Sequence, residues 1–232
     1  REITFGVDAF LCEERYGYVW VCLDAEPLAP IPDIPEAADP SFRQIHEFHE
    51  VWGSPGLRIM ENSFDNAHFS YVHKESFGII DEPEPAPLSI EPIDHGFVMR
   101  TVVPVKNPEQ QKKNLGIDSD RTVRNYAKTY WLPFSRKMRV DYPNGLVHII
   151  VTCTAPIDDR NSLVCQFVFR NDTEEEAPAA TQPHRHETQM PAETVVFLTV
   201  SPVGLWCHPR ETCDFRIQLL SAHVLFVELG VL

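Results

Sequence analysis

The sequence predicts an α+β fold, a curved antiparallel sheet with helices on one face, and three observations carry that expectation. Beyond Pro92 apolar and polar residues alternate, between Leu57 and Lys74 apolar residues recur at helical spacing, and turn-forming pairs separate the alternating runs. One apolar face of such a sheet has to be covered, and helices cover it most economically. The length of 232 residues fits one main domain, or one domain with the remnant of a second.

The elements follow in order. Tyr16 to Leu23 is aromatic and β-branched and reads as a buried strand that closes a preceding unit. Five prolines at 27, 30, 32, 35 and 40 then exclude a helix or a central strand, leaving an extended arm. Arg43 to Trp52 reads as a strand. Leu57 to Lys74 lacks proline and glycine and places Leu57, Met60, Phe64, Ala67 and Phe69 or Tyr71 on a helical rhythm, which predicts one helix. Gly96 to Val105 and Val123 to Pro133 add strands. In Lys137 to Tyr142 one face is apolar and the other charged, which predicts a strand with one wet face. Asn144-Gly145 supplies a tight hairpin, Leu146 to Pro156 the returning strand, Asp158 to Asn161 a turn, and Ser162 to Arg170 a further strand with Leu163, Cys165, Phe167 and Phe169 on one side. The result is an antiparallel meander.

Composition narrows the function. Twenty basic against 34 acidic residues give a formal net charge of −14, which argues against nucleic acid as a partner. No apolar run reaches the ~18 residues of a spanning helix, and no signal-like segment opens the chain, so the expectation is a cytoplasmic protein without a membrane span. The six cysteines form no CxxC pair and read as buried free thiols.

Chemistry concentrates in Glu61 to His73, where Asp65, His68 and His73 form the pattern D-x-x-H-x4-H. At ~100° per residue Asp65 and His68 share a face of a helix, whereas His68 and His73 lie about 140° apart, so they converge only if the helix ends or bulges between them. Two histidines with a carboxylate are the donor set of non-haem Fe(II), and zinc is the competing metal. His184-x-His186, on a polar Pro-flanked stretch, reads as an exposed loop and Glu174 to Glu176 as a solvated charge run.

The passage from Gly56 to His73 resembles the mononuclear-iron motif N-x-x-D-x-x-H-x4-H of Rieske non-haem iron aromatic oxygenase large subunits. It is most similar to the group that includes vanillate demethylase and the chlorophyll-catabolite oxygenases. The resemblance runs from about Glu14 to about Ala180 and implies a helix-grip fold around an apolar substrate cavity. It implies that His68 and His73 bind Fe(II), that Asp65 links the iron to a neighbouring subunit's [2Fe-2S] Rieske cluster, and that Asn62 lies near the iron. It also implies O2 and an apolar aromatic substrate, a reductase or ferredoxin as electron donor, and a homotrimer.

On this reading residues 1–25 are the end of a Rieske domain, 26–180 the catalytic domain, and 181–232 a divergent tail expected to pack poorly. The cluster's C-x-H and C-x-x-H ligand pairs do not occur, so this chain is expected not to turn over alone. The family's acidic third ligand has no clear match, Asp214 and then Glu193 being the candidates. Two other functions fit the same residues: a metal-free helix-grip module that binds a small ligand, and a zinc hydrolase drawing its acid from Glu61 or Glu75.

Overall fold

The computed structural model describes residues 10–27, 29–172, 195–198, 216–220 and 224–228. Its centre is a seven-stranded antiparallel sheet. The strands are β3 (Arg43–Trp52), β4 (Leu88–Ile93), β5 (Gly96–Lys106), β6 (Arg121–Trp131), β7 (Ser135–Asp141), β8 (Val147–Pro156) and β9 (Ser162–Arg170). They lie in the order β3-β9-β8-β7-β6-β5-β4, so β4 to β9 form the expected meander and β3 pairs with its last strand. A register shift between His46 and Phe48 kinks β3 where it crosses β9. The other edge is β4, where every residue is exposed and Pro92 interrupts the row of backbone donors.

Side chains alternate across this sheet except at the β3 register shift, and its two faces have different covers. One face carries Ile149, Val151, Cys153, Cys165, Phe167 and Phe169, packed under Tyr18 and Trp20 of β2 (Tyr18–Cys22) and under Ala29, Ile31 and Ile34 of the proline-rich arm. Strand β2 pairs with β1 (Leu11–Arg15) and, in parallel, with β10 (Val195–Leu198). Two further tail segments, β11 (Arg216–Leu220) and β12 (Val224–Glu228), pair as a hairpin.

The opposite face receives the helices. Helix α1 (Gly56–Phe64) sets Ile59 and Met60 against Tyr130 and Val164, while Phe69 and Phe77 pack on Val103, Val105, Tyr126 and Val140. Gly56 lets α1 start this close, since a Cβ there would stand 3.0 Å from both Phe134 and Thr154. The fold is α+β and helix-grip-like, as the alternation and the resemblance imply.

Several expectations need correction. The helix foreseen over 57–74 is two helices, α1 and α2 (Phe69–Val72), because the chain turns extended at Asp65. Strand β4 and helix α3 (Glu109–Leu115) were not foreseen, the first because Pro92 masks its alternation and the second because it is short and polar. At the β7–β8 turn only Gly145 has a positive φ, while Asn144 Oδ1 accepts the Leu146 N–H. The charged face of β7 is only partly wet: the Lys137 side chain is 15% exposed while Arg139 and Asp141 stay 37% and 39% exposed, and Glu36 of the arm meets Lys137 at 3.2 Å and Arg139 at 3.5 Å. Cys153 and Cys165 are buried free thiols as expected, Cys12 and Cys22 are buried, and Cys207 and Cys213 lie outside the described residues; burial pushes the Cys153 thiol up to about 12.

Candidate active site

Helix α1 ends because Asp65 leaves helical geometry, at φ −76° and ψ 116°, after its backbone N–H has bonded to the Glu61 carbonyl. The Asp65 carboxylate then accepts the Ala67 N–H at 2.7 Å, an Asx turn that competes with continuation of the helix. Four residues on, α2 restarts with the His68 carbonyl accepting from Val72 at 2.8 Å. The break reorients what a straight helix would separate: the rings of His68 and His73 lie 5.2 Å apart, tilted by 53°.

Packing holds both rings. His73 stacks on Phe77 at 4.8 Å, and Phe69 sits edge-on to His68 at 4.9 Å and to His73 at 6.0 Å. Gly78 closes the loop behind α2, donating its N–H to the His73 carbonyl. A Cβ at Gly78 would stand 2.1 Å from the Phe69 carbonyl oxygen, so only glycine fits. Asp65 Oδ2 stands 3.4 Å from His68 Nδ1, in ion-pair range but outside hydrogen-bond alignment, which leaves that buried nitrogen without a hydrogen bond. Asn62 is exposed on α1. Beside the motif runs an open groove lined by Leu57, Met60, Phe64, Asp65, Phe97 and Tyr130.

Sequence reasoning missed the most unusual group here. Lys128 of β6 is 1% exposed, and its ammonium donates at 3.0 Å to Oδ1 of the buried Asn66, inside the break between Asp65 and His68. The ammonium also lies 4.9 Å from the centre of the Phe69 ring. Burial, aided by repulsion from Arg136 and opposed by Asp65, pushes its pKa down to about 7. The signal was present in the strand: Lys128 falls in step with Tyr126 and Tyr130 on the face that the alternation marks as apolar.

Two imidazoles about one ion at metal–nitrogen distances of about 2.1 Å have ring centres roughly 4.5 Å apart when mutually perpendicular. The observed 5.2 Å is close to that, so the spacing of this pair fits a shared ion. No set of three or more His, Cys, Asp or Glu side chains gathers around a point among the described residues. The remaining candidates, Asp214 and Glu193, lie outside the described residues, as do His184, His186 and Glu174 to Glu176.

Comparison with known proteins matches this arrangement to a family. The family model for the vanillate O-demethylase oxygenase C-terminal domain matches residues 52–193, more than half of the chain, and the chain belongs to that family. Among its relatives is methylxanthine N1-demethylase NdmA of Pseudomonas putida, 27% identical over 158 residues, which are 67% of this chain and 43% of NdmA. A probable methylxanthine N7-demethylase, NdmC of Pseudomonas sp. (strain TJI-51), is 36% identical over 76 residues, 33% of this chain and 27% of that protein.

The structure of NdmA with caffeine has the same fold at a TM-score of 0.56 and 22% identity, covering 78% of this chain and 56% of that one. Dicamba monooxygenase bound to 3,6-dichlorosalicylic acid superposes at a TM-score of 0.60 and 15% identity, covering 73% and 52%. The chain spans less than half the length of the curated relatives it matches.

Proposed function

We propose that this chain supplies the catalytic domain of a Rieske-type terminal oxygenase that demethylates or hydroxylates an aromatic or related cyclic substrate. The observation that carries the reading is the break at Asp65 to Ala67, which brings His68 and His73 within 5.2 Å on an otherwise helical segment. His68 and His73 would hold a mononuclear iron, which when bound supplies the one-electron chemistry that O2 requires.

The protein's own groups do the positioning. Asp65, 3.4 Å from His68 Nδ1, is placed to keep the proton on that nitrogen and present the other ring nitrogen as a ligand. The same carboxylate, 47% exposed, is the group that a neighbouring subunit could reach, in keeping with an electron path that enters through Asp65. Phe69 and Phe77 fix the ring planes and keep water from the back of the site. Asn62 stands one turn of α1 before Asp65, on the outer surface, and would act from there.

Residues 1–25 then belong to the end of a cluster-bearing domain and 26–180 to the catalytic domain, with 181–232 as a divergent tail into which the family model reaches only as far as residue 193. The partners are a ferredoxin or reductase and two further copies of the chain, in the cytoplasm. The relatives' names point to N-methyl or O-methyl groups as the bond attacked. Anaerobic Fe(II) loading, desalting and metal analysis test the reading: weakly held iron that is lost on His68→Ala or His73→Ala is expected, and iron retention indifferent to both substitutions would refute it.

A further inference from the structure

The helix-side face of the sheet holds buried hydrogen-bond donors beside the histidine pair that have no acceptor. Lys128, 1% exposed, makes one hydrogen bond, to Asn66, although an ammonium has three protons to give. Asn66 spends its oxygen on that bond and keeps a buried Nδ2 with no partner. Arg136 of β7 is half-buried as a residue, but its Nε and Nη1 are buried and unpartnered. Tyr130 pairs with Arg136 and Met138 with Lys128, so the two cations are diagonal neighbours on one face, about 7–8 Å apart at the backbone.

The carboxylates nearby are already engaged. Glu47, which attracts Arg136 through space, accepts the Gln166 amide at 2.6 Å, and Asp65, which attracts Lys128, accepts the Ala67 N–H and faces His68. Burying unpaired cationic donors is among the costliest arrangements that a protein interior tolerates, and it is relieved when a ligand brings the acceptors.

We infer that Lys128, Arg136 and Asn66 Nδ2 form an oxyanion-binding subsite that holds an anionic oxygen group of the substrate, such as a carboxylate or an enolate, with its ring toward Phe69 and the histidine pair. Phe69 supports this placement, because its ring touches both the Lys128 ammonium and the two imidazoles and so fixes how far an aromatic ring lies from the anchored charge. As a statement about substrate the inference rests on the oxygenase reading. As a statement about binding it does not.

The test is equilibrium binding of 2-naphthoate and its neutral isostere 2-naphthamide to the full chain freed of metal. The acid should bind at least about tenfold more tightly than the amide, the scale of one charge-assisted hydrogen bond. Lys128→Met and Arg136→Met should each reduce that preference to below about twofold while leaving the amide's affinity in place, and Lys128→Arg should retain most of it. A measurement on the unaltered chain covers variants that do not fold: the Arg136 Nε–H resonance should move on adding the acid and not the amide.

Equal affinity for the two probes, no binding of the acid, or an acid preference unchanged in both methionine variants would overturn the subsite. Acid preference in a chain that retains no iron would uphold it and sink the oxygenase reading, and retained iron with no acid preference would do the reverse.

Discussion

The two faces of the seven-stranded sheet treat most of their charges differently, although Arg170 on the helix side does pair with Asp172. On the arm side, Lys137 and Arg139 share Glu36, a carboxylate whose side chain is only 14% exposed, and Arg139 also meets Asp141 at 2.9 Å. On the helix side Lys128 and Arg124 are buried and Arg136 is half-buried, with nitrogens that lack partners or, in Lys128, with a single hydrogen bond. Arg124 is instead held over the rings of Phe77 and Tyr142, at 5.1 and 5.3 Å. A face that serves only stability pairs its charges. At the proposed oxyanion subsite the cations are left unpaired, because a built-in partner would fill the ligand's place.

The largest effect that would sharpen this contrast lies in the arm-side core. Phe167, fully buried between Tyr16, Tyr18 and Phe169, should cost about 3–5 kcal/mol as Phe167→Ala in urea unfolding. Glu36→Gln should cost about 1–3 kcal/mol, because it leaves two partly buried cations with a neutral acceptor. Arg136→Met should instead leave the free chain's stability unchanged or raise it by up to about 2 kcal/mol. A loss on Arg136→Met equal to that on Glu36→Gln would break the comparison.

The helix face should also reveal itself by titration. Lys128 is pushed down to about 7 in the fold, so from pH 7 up to its ordinary value of 10.5 the unfolded chain binds the extra proton. Stability contributed there should therefore rise with pH, and Lys128→Met should flatten that rise. Burial and the nearby Arg170 hold His148 down to about 4 against an ordinary 6.5, so stability should fall as pH drops from 6.5 to 4. His148→Phe should remove that fall, and urea midpoints measured across both windows check the two signs. The smallest effect belongs to the exposed α1 pair, where Arg58→Ala should change stability by less than about 0.5 kcal/mol in the same assay.

Much of the sheet was legible because alternation depends only on which face is buried. Leu163, Cys165, Phe167 and Phe169 were placed together from sequence and do share one cluster. The same alternation in 137–142 gave the right faces but more water than Lys137 meets, because a pattern within one strand does not reveal that a segment a hundred residues earlier will cover part of it. Spacing showed that His68 and His73 could converge only across a broken helix. That Asp65 breaks it by capturing the Ala67 N–H is local chemistry that apolar periodicity does not encode. Lys128 and Arg136 sat in plain view at apolar-face positions, in step with Tyr126, Tyr130, Met138 and Val140, and were passed over because a charge is ordinarily assigned to solvent.

Pro92 gives the outer strand a consequence for coexistence with other chains. Strand β4 ends the sheet with Leu88, Ile90 and Ile93 exposed at 46%, 58% and 38%, a surface onto which another extended segment could add. A proline there denies the incoming strand a donor in mid-row, and Glu91 beside it adds a charge that an amyloid-like stack would have to repeat at every layer. The sheet can therefore end in open water without recruiting its neighbours, and a Pro92→Val chain would be the form to watch for fibres at high concentration.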